Sequence, residues 1–122
     1  MTTVPSVHGA GYSTAVTSNA ALVRVTGDID LDVIGELRDV LDSAVALRPV
    51  VIVDLISAGT IDSLGLAVLA GTRDAARRRG GDLLLVAAGH FTRGVLTARR
   101  LQTAFRVFDT VPQAITAASA PR

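Results

Sequence analysis

The stretch VVIVDLISAGTIDSLGLAVL, residues 50–69, decides how the chain folds. Residues 50–56 are apolar apart from Asp54, rich in Val and Ile and bounded by turn formers, which predicts a strand covered on both faces at the centre of a parallel sheet. Residues 57–62 read as a loop beyond the carboxyl end of that strand, where function gathers in open α/β sheets. A helix is expected from about residue 63 to residue 79, with Leu64, Val68, Gly71 and Ala75 on one line and Leu66, Leu69 and Ala70 broadening it. Arg77, Arg78 and Arg79 followed by Gly80 are ordinary helix stop signals.

Working outward, residues 12–17 and 21–26 are short β-branched runs on either side of Ser18 and Asn19, as in an opening hairpin. Val33, Leu37, Val40, Leu41, Ala44 and Val45 then recur at helical spacing, with Glu36, Arg38, Asp39 and Asp42 between them. Either Asp30 or Asp32 can cap this helix, and Pro49 closes it. Downstream, residues 82–88 read as a second buried strand and 90–101 as a third helix. Residues 105–108 read as an edge strand and 111–118 as a last helix. The order ββαβαβαβα implies right-handed crossovers and a mainly parallel central sheet, with an N-terminal hairpin and packed α-helices. A flexible arm is expected over residues 1–11, one domain over 12–118 and a short tail over 119–122.

The 122 residues are 49% apolar but include only three Phe, one Tyr and no Trp, so one modest aliphatic core is expected. All twelve basic residues are arginine and the net charge is +1, without the clustered positive excess of a nucleic-acid binder. Three arginines in a row without interleaved aromatics read as a solvated helix end. Cysteine is absent and His8 and His90 are the only histidines, which leaves no thiol chemistry and no histidine cage for a metal. No cofactor is expected, because a chain without lysine cannot carry the phosphate-binding loop that ends in Gly-Lys. The beginning of the chain resembles no signal peptide and no run reaches the roughly 18 apolar residues of a membrane span, so a cytoplasmic location is expected.

Ser63, at the junction of loop and helix, admits three readings. Local features favour an N-cap, whose removal costs about 0.5–2 kcal/mol. A hydrolase nucleophile is the second, since Ser63, Asp82 and His90 follow the chain order serine, acid, histidine. The nucleophile elbow requires G-x-S-x-G, however, and Ile61 stands at its first position although Gly65 fills the last. The third reading is phosphorylation, which brings nearly two negative charges to a helix amino terminus already flanked by Asp62, with Asp28 and Asp30 expected on the same rim.

The same stretch resembles the central signature of STAS-domain anti-sigma factor antagonists, in which a strand ending in Asp-Leu leads through a short loop to Asp-Ser-(Ser/Thr)-Gly-Leu. VTGDID (25–30) is similar to the family's Gly-Glu-Leu-Asp turn, and GGDLLLV (80–86) and FRVFDTVPQAI (105–115) fit its later strands and last helix. The resemblance implies a STAS fold in which Ser63 is the phosphoacceptor, with Asp62, Gly65 and Asp30 on motif positions. It implies two partners, an anti-sigma factor with serine kinase activity that binds the unmodified protein, and a phosphoserine phosphatase that restores it. The protein itself would catalyse nothing, bind neither nucleic acid nor membrane, and release a sigma factor to regulate transcription; a homodimer is compatible with this. Leu64 departs from the motif's second hydroxyl residue. Inward it would continue the core stripe, the favoured orientation, and outward it would be a partner anchor. His90 reads as a helix-start residue with no ligand role, whereas an exposed Phe91 would extend the binding surface. The rival reading keeps the fold but makes the protein an unphosphorylated scaffold subunit of a sensory or lipid-transport complex, with Ser63 only a cap.

Overall fold

The computed structural model describes residues 11–29, 33–87 and 105–120. Among the described residues the elements run in the order β1 (Gly11–Val16), β2 (Ala20–Ile29), α1 (Ile34–Leu47), β3 (Val50–Asp54), β4 (Ala58–Ile61), α2 (Ser63–Arg78), β5 (Asp82–Val86), β6 (Arg106–Phe108) and α3 (Val111–Ser119). The expected helix at 90–101, together with His90, Phe91, Asp30 and Asp32, lies outside the described residues.

The six strands among the described residues form one sheet in the order β1-β2-β3-β5-β6, with β4 also paired to β2. Among the described residues only the β1–β2 hairpin is antiparallel; Thr17 closes it, its N–H donating to the Ala20 carbonyl at 2.8 Å while its hydroxyl accepts the Ala20 N–H at 3.0 Å. Every residue of β3 and β5 is buried, as continuous apolar runs require when both faces of a strand are covered. On one face Val51, Val53, Leu83 and Leu85 pack under Leu37, Leu41 and Ala44 of α1 and Leu66 and Leu69 of α2. On the other, Val50, Ile52, Leu84 and Val86 meet Ala114 and Ala118 of α3.

The helix ends follow local chemistry. Helix α1 stops at Leu47, before Pro49, and Arg48 donates from Nε to the Thr17 carbonyl at 2.8 Å, tying the helix to the hairpin. Helix α2 ends in a paired closure: Gly80, at φ +82°, donates to the Arg77 carbonyl at 3.0 Å and Gly81 to the Ala76 carbonyl at 2.9 Å.

Strand β4 corrects the expectation of a loop at 57–62. β2 extends past the end of β3, whose last register pair is Arg24 with Asp54, so the backbone of Gly27–Ile29 would otherwise lack a neighbour. The chain turns after Asp54 and comes back alongside, pairing Ala58 with Gly27 and Ile61 with Ile29 across a register shift. An exposed backbone edge supplied by a distant strand decided this element, and no alternation in the residues themselves announces it.

Candidate functional site

The carboxyl rim of the sheet is assembled from the turn that leaves β3. Asp54 shapes that turn with both carboxylate oxygens: Oδ2 takes Arg24 Nε at 3.1 Å and Oδ1 accepts the Ile56 N–H at 3.0 Å. The following residues are tied to β2 one after another. Gly27 donates its N–H to the Ser57 carbonyl at 3.3 Å, Asp28 Oδ1 accepts the Thr60 N–H at 2.9 Å, and Asp62 donates its N–H to the Ile29 carbonyl at 3.2 Å. Gly59 leaves room for the Asp28 carboxylate, since a Cβ there would run into Oδ1. Asp28, expected as an acidic neighbour of the site, is thus also the clamp that orders it.

Asp62, not Ser63, caps α2. Its backbone is extended (φ −86°, ψ 177°), and its Oδ1 accepts the Gly65 N–H at 2.9 Å while its carbonyl accepts the Leu66 N–H at 3.1 Å. The cap reading of Ser63 fails because the preceding aspartate already holds the N–H such a cap would take. Ser63 therefore becomes the first helical residue, with an exposed side chain whose hydroxyl makes no hydrogen bond among the described residues. Gly65 is buried against Ile29 and Ile61; a Cβ would sit 2.8 Å from Ile29 Cγ2 and 3.2 Å from Ile61 Cγ2, so glycine lets the first turn rest on the sheet.

Leu64 also differs from the favoured expectation: it faces outward, 48% exposed. The buried face of α2 carries Gly65, Leu66, Val68, Leu69, Thr72 and Ala76, so Leu66, Val68 and Leu69 are core as read, whereas Leu64 and Gly71 are exposed. Ile56, which no sequence signal singled out, is equally exposed at 48%. The rim thus presents the free hydroxyl, two carboxylates and two large aliphatic side chains. Removing the Asp62 cap with Asp62→Ala should lower folding stability by about 1 kcal/mol, read as a lower urea midpoint at unchanged m-value.

A serine triad has no geometric basis. Asp82 follows the far end of the 16-residue helix that Ser63 begins, about 24 Å away at 1.5 Å per residue. The Asp82 carboxylate is buried and engaged by Arg77 Nε at 3.2 Å and the Leu83 N–H at 2.8 Å. Among the described residues there is no group of three or more metal-ligating side chains, and no helix long and apolar enough to cross a membrane.

Fold and rim define a mixed α/β domain that opens a helix with a solvent-facing serine. The STAS domain profile matches residues 12–114, and the chain belongs to the STAS domain family. Among solved structures it is similar to an anti-sigma factor antagonist from Mycobacterium paratuberculosis, with 24% identity and a TM-score of 0.85 over 96% of this chain and 100% of that one. It is similar to the Bacillus cell fate determinant SpoIIAA in the phosphorylated form, with 18% identity and a TM-score of 0.68 over 88% of this chain and 98% of that one. It is also similar to a sulfate transporter family protein from Wolinella succinogenes, with 26% identity and a TM-score of 0.69 over 80% of this chain and 82% of that one. No curated protein matches the sequence.

Proposed function

We propose that the protein is an anti-sigma factor antagonist, a non-enzymatic binding switch operated by phosphorylation of Ser63. The observation that carries this reading is the Ser63 hydroxyl, exposed at the first position of α2 and relieved of the capping role by Asp62. In the unmodified state the carboxyl rim binds an anti-sigma factor that is also a serine kinase, and the sigma factor is released to direct transcription in the cytoplasm. Leu64 and Ile56 supply the apolar anchors, each half-exposed and therefore able to bury area on binding.

The kinase transfers the γ-phosphoryl group of ATP to Ser63 Oγ, the hydroxyl proton leaves to a base on the kinase, and ADP is the product. The phosphate gains from the helix dipole, so the fold tolerates it. A partner pressed against the rim does not: the dianion beside Asp62 and Asp28 must be desolvated among like charges. About 3–4 kcal/mol of differential affinity, a few hundredfold, is enough to separate the complex. A phosphoserine phosphatase returns the group to water as inorganic phosphate and resets the switch.

With the cognate kinase and ATP, the intact mass should rise by one phosphoryl group in the wild type and stay unchanged in Ser63→Ala. A wild type that gains nothing, or a Ser63→Ala protein that is still modified, overturns the assignment. The likeness to a sulfate transporter family protein favours one second reading, a constitutive scaffold subunit that is never phosphorylated. In that case an aspartate at position 63 leaves partner binding intact.

A further inference from the structure

The rim opposite Ser63 carries a cleft of about 480 Å³ at the amino-terminal end of β5. That is within the size range of small-molecule sites, roughly 300–1,000 Å³. Arg77, from the last turn of α2, and Arg106, from β6, supply its charged walls. Gly80 and Gly81 line it from the α2–β5 turn, and Ala117 and Ala120 from the end of α3, so small residues keep it open.

The charges of this cleft do not cancel. Asp82 also lines it, but its carboxylate is buried and already met by Arg77 Nε at 3.2 Å and Arg73 Nε at 4.0 Å. Among the described residues Arg106 has no carboxylate partner; its guanidinium lies over the Phe108 ring, 5.5 Å from the centroid, which holds the planar group without consuming its charge. Arg77 is half-exposed and uses only Nε toward Asp82, leaving its terminal nitrogens for another acceptor. Arg78 and Arg79 are exposed at the same helix end and add to the positive potential. The carboxyl ends of α2 and α3 lie on this rim and carry partial negative charge, about half an electron each at most. Arg73, Arg77, Arg78, Arg79 and Arg106 together outweigh Asp74, Asp82 and these two ends, so an anion is favoured on the Arg77–Arg106 side.

We infer that this cleft is a binding site for a small oxyanion ligand, a phosphate or carboxylate group held between Arg77 and Arg106. Guanidinium forks match such groups by pairing two N–H donors with two oxygens, which a buffer cation or a neutral ligand could not exploit. The site is independent of Ser63, which lies at the other end of α2.

Amide chemical shifts of the full chain, followed during titration with inorganic phosphate and separately with citrate, test the site against sodium chloride at matched ionic strength. Saturable shifts are expected at Gly80, Gly81 and Asp82, and whichever anion saturates identifies the group as phosphate or carboxylate. Arg106→Ala, on an exposed side chain, should weaken that binding at least about tenfold, the loss of one charge-assisted contact. Arg38→Ala, on the exposed side of α1, should leave it unchanged. Shifts that stay linear and equal to those in chloride overturn the inference, as does an Arg106→Ala protein that binds as the wild type does.

Discussion

Ser63→Asp is expected to weaken the complex with the cognate anti-sigma kinase by at least about tenfold, and authentic phosphorylation by a few hundredfold. The two differ because aspartate brings one negative charge on a short side chain, whereas phosphoserine brings nearly two and three acceptor oxygens. The substitution leaves the fold intact. An acidic residue in the first turn of a helix gains about 0.3–1 kcal/mol from the dipole, and Asp62 keeps its own hydrogen bond to Gly65. Affinity and stability should therefore move in opposite directions, which separates a damaged interface from a damaged protein. Isothermal titration against the kinase gives the first quantity and urea unfolding the second. A dissociation constant within about threefold of the wild type would remove the switch and leave the scaffold reading.

Gly81→Ala should cost about 3 kcal/mol of folding stability, the upper range for forcing a methyl group into packed surroundings. The position has no side-chain neighbour that could swing aside: a Cβ there would run into the carbonyl of Pro49, and the next residue, Asp82, donates its N–H to that same oxygen at 3.2 Å. Relief requires β5 to move off the segment that opens β3, where the sheet is buried on both faces. Gly71→Ala is the matching control. It lies exposed within α2 with nothing within 4 Å of an added Cβ, so alanine should add about 0.5–1 kcal/mol through helix propensity. Urea midpoints of the two variants should fall on opposite sides of the wild type. A Gly81→Ala protein within about 1 kcal/mol of the wild type would mean that the contact with Pro49 yields cheaply.

The main elements were legible because their signals are local. Residues 50–53 and 83–86 are apolar without alternation, the pattern of a short strand covered on both faces. Residues 34–47 repeat apolar side chains at helical spacing, and Leu37, Leu41 and Ala44 are indeed the buried ones. In α2 the same reading holds at Leu66, Val68 and Leu69 but fails at Leu64 and Gly71. Leucine at 64 looks like core and glycine at 65 like nothing, yet glycine is buried because Ile29 and Ile61 approach too closely for a side chain. Hydrophobicity cannot register a residue chosen for its absence of volume.

The candidate site was legible as a position but not as a division of labour. Ser63 reads as the cap and Asp62 as an acidic neighbour, and only the extended backbone at 62 gives the cap to the aspartate and frees the hydroxyl. Asp28 reads as one more negative charge on the rim until its carboxylate is found on the Thr60 N–H.

Among the described residues, the sequence by itself determined the strands and helices other than 58–61, their order and the position of the candidate hydroxyl at Ser63, because periodicity, turn formers and apolar runs act over a few neighbouring residues. Tertiary structure alone decided that 58–61 is a strand, that Leu64 and Ile56 face solvent and that Arg77 and Arg106 share a cleft. Each of these depends on which distant backbone or side chain arrives alongside, a property of packing between elements rather than of any one of them.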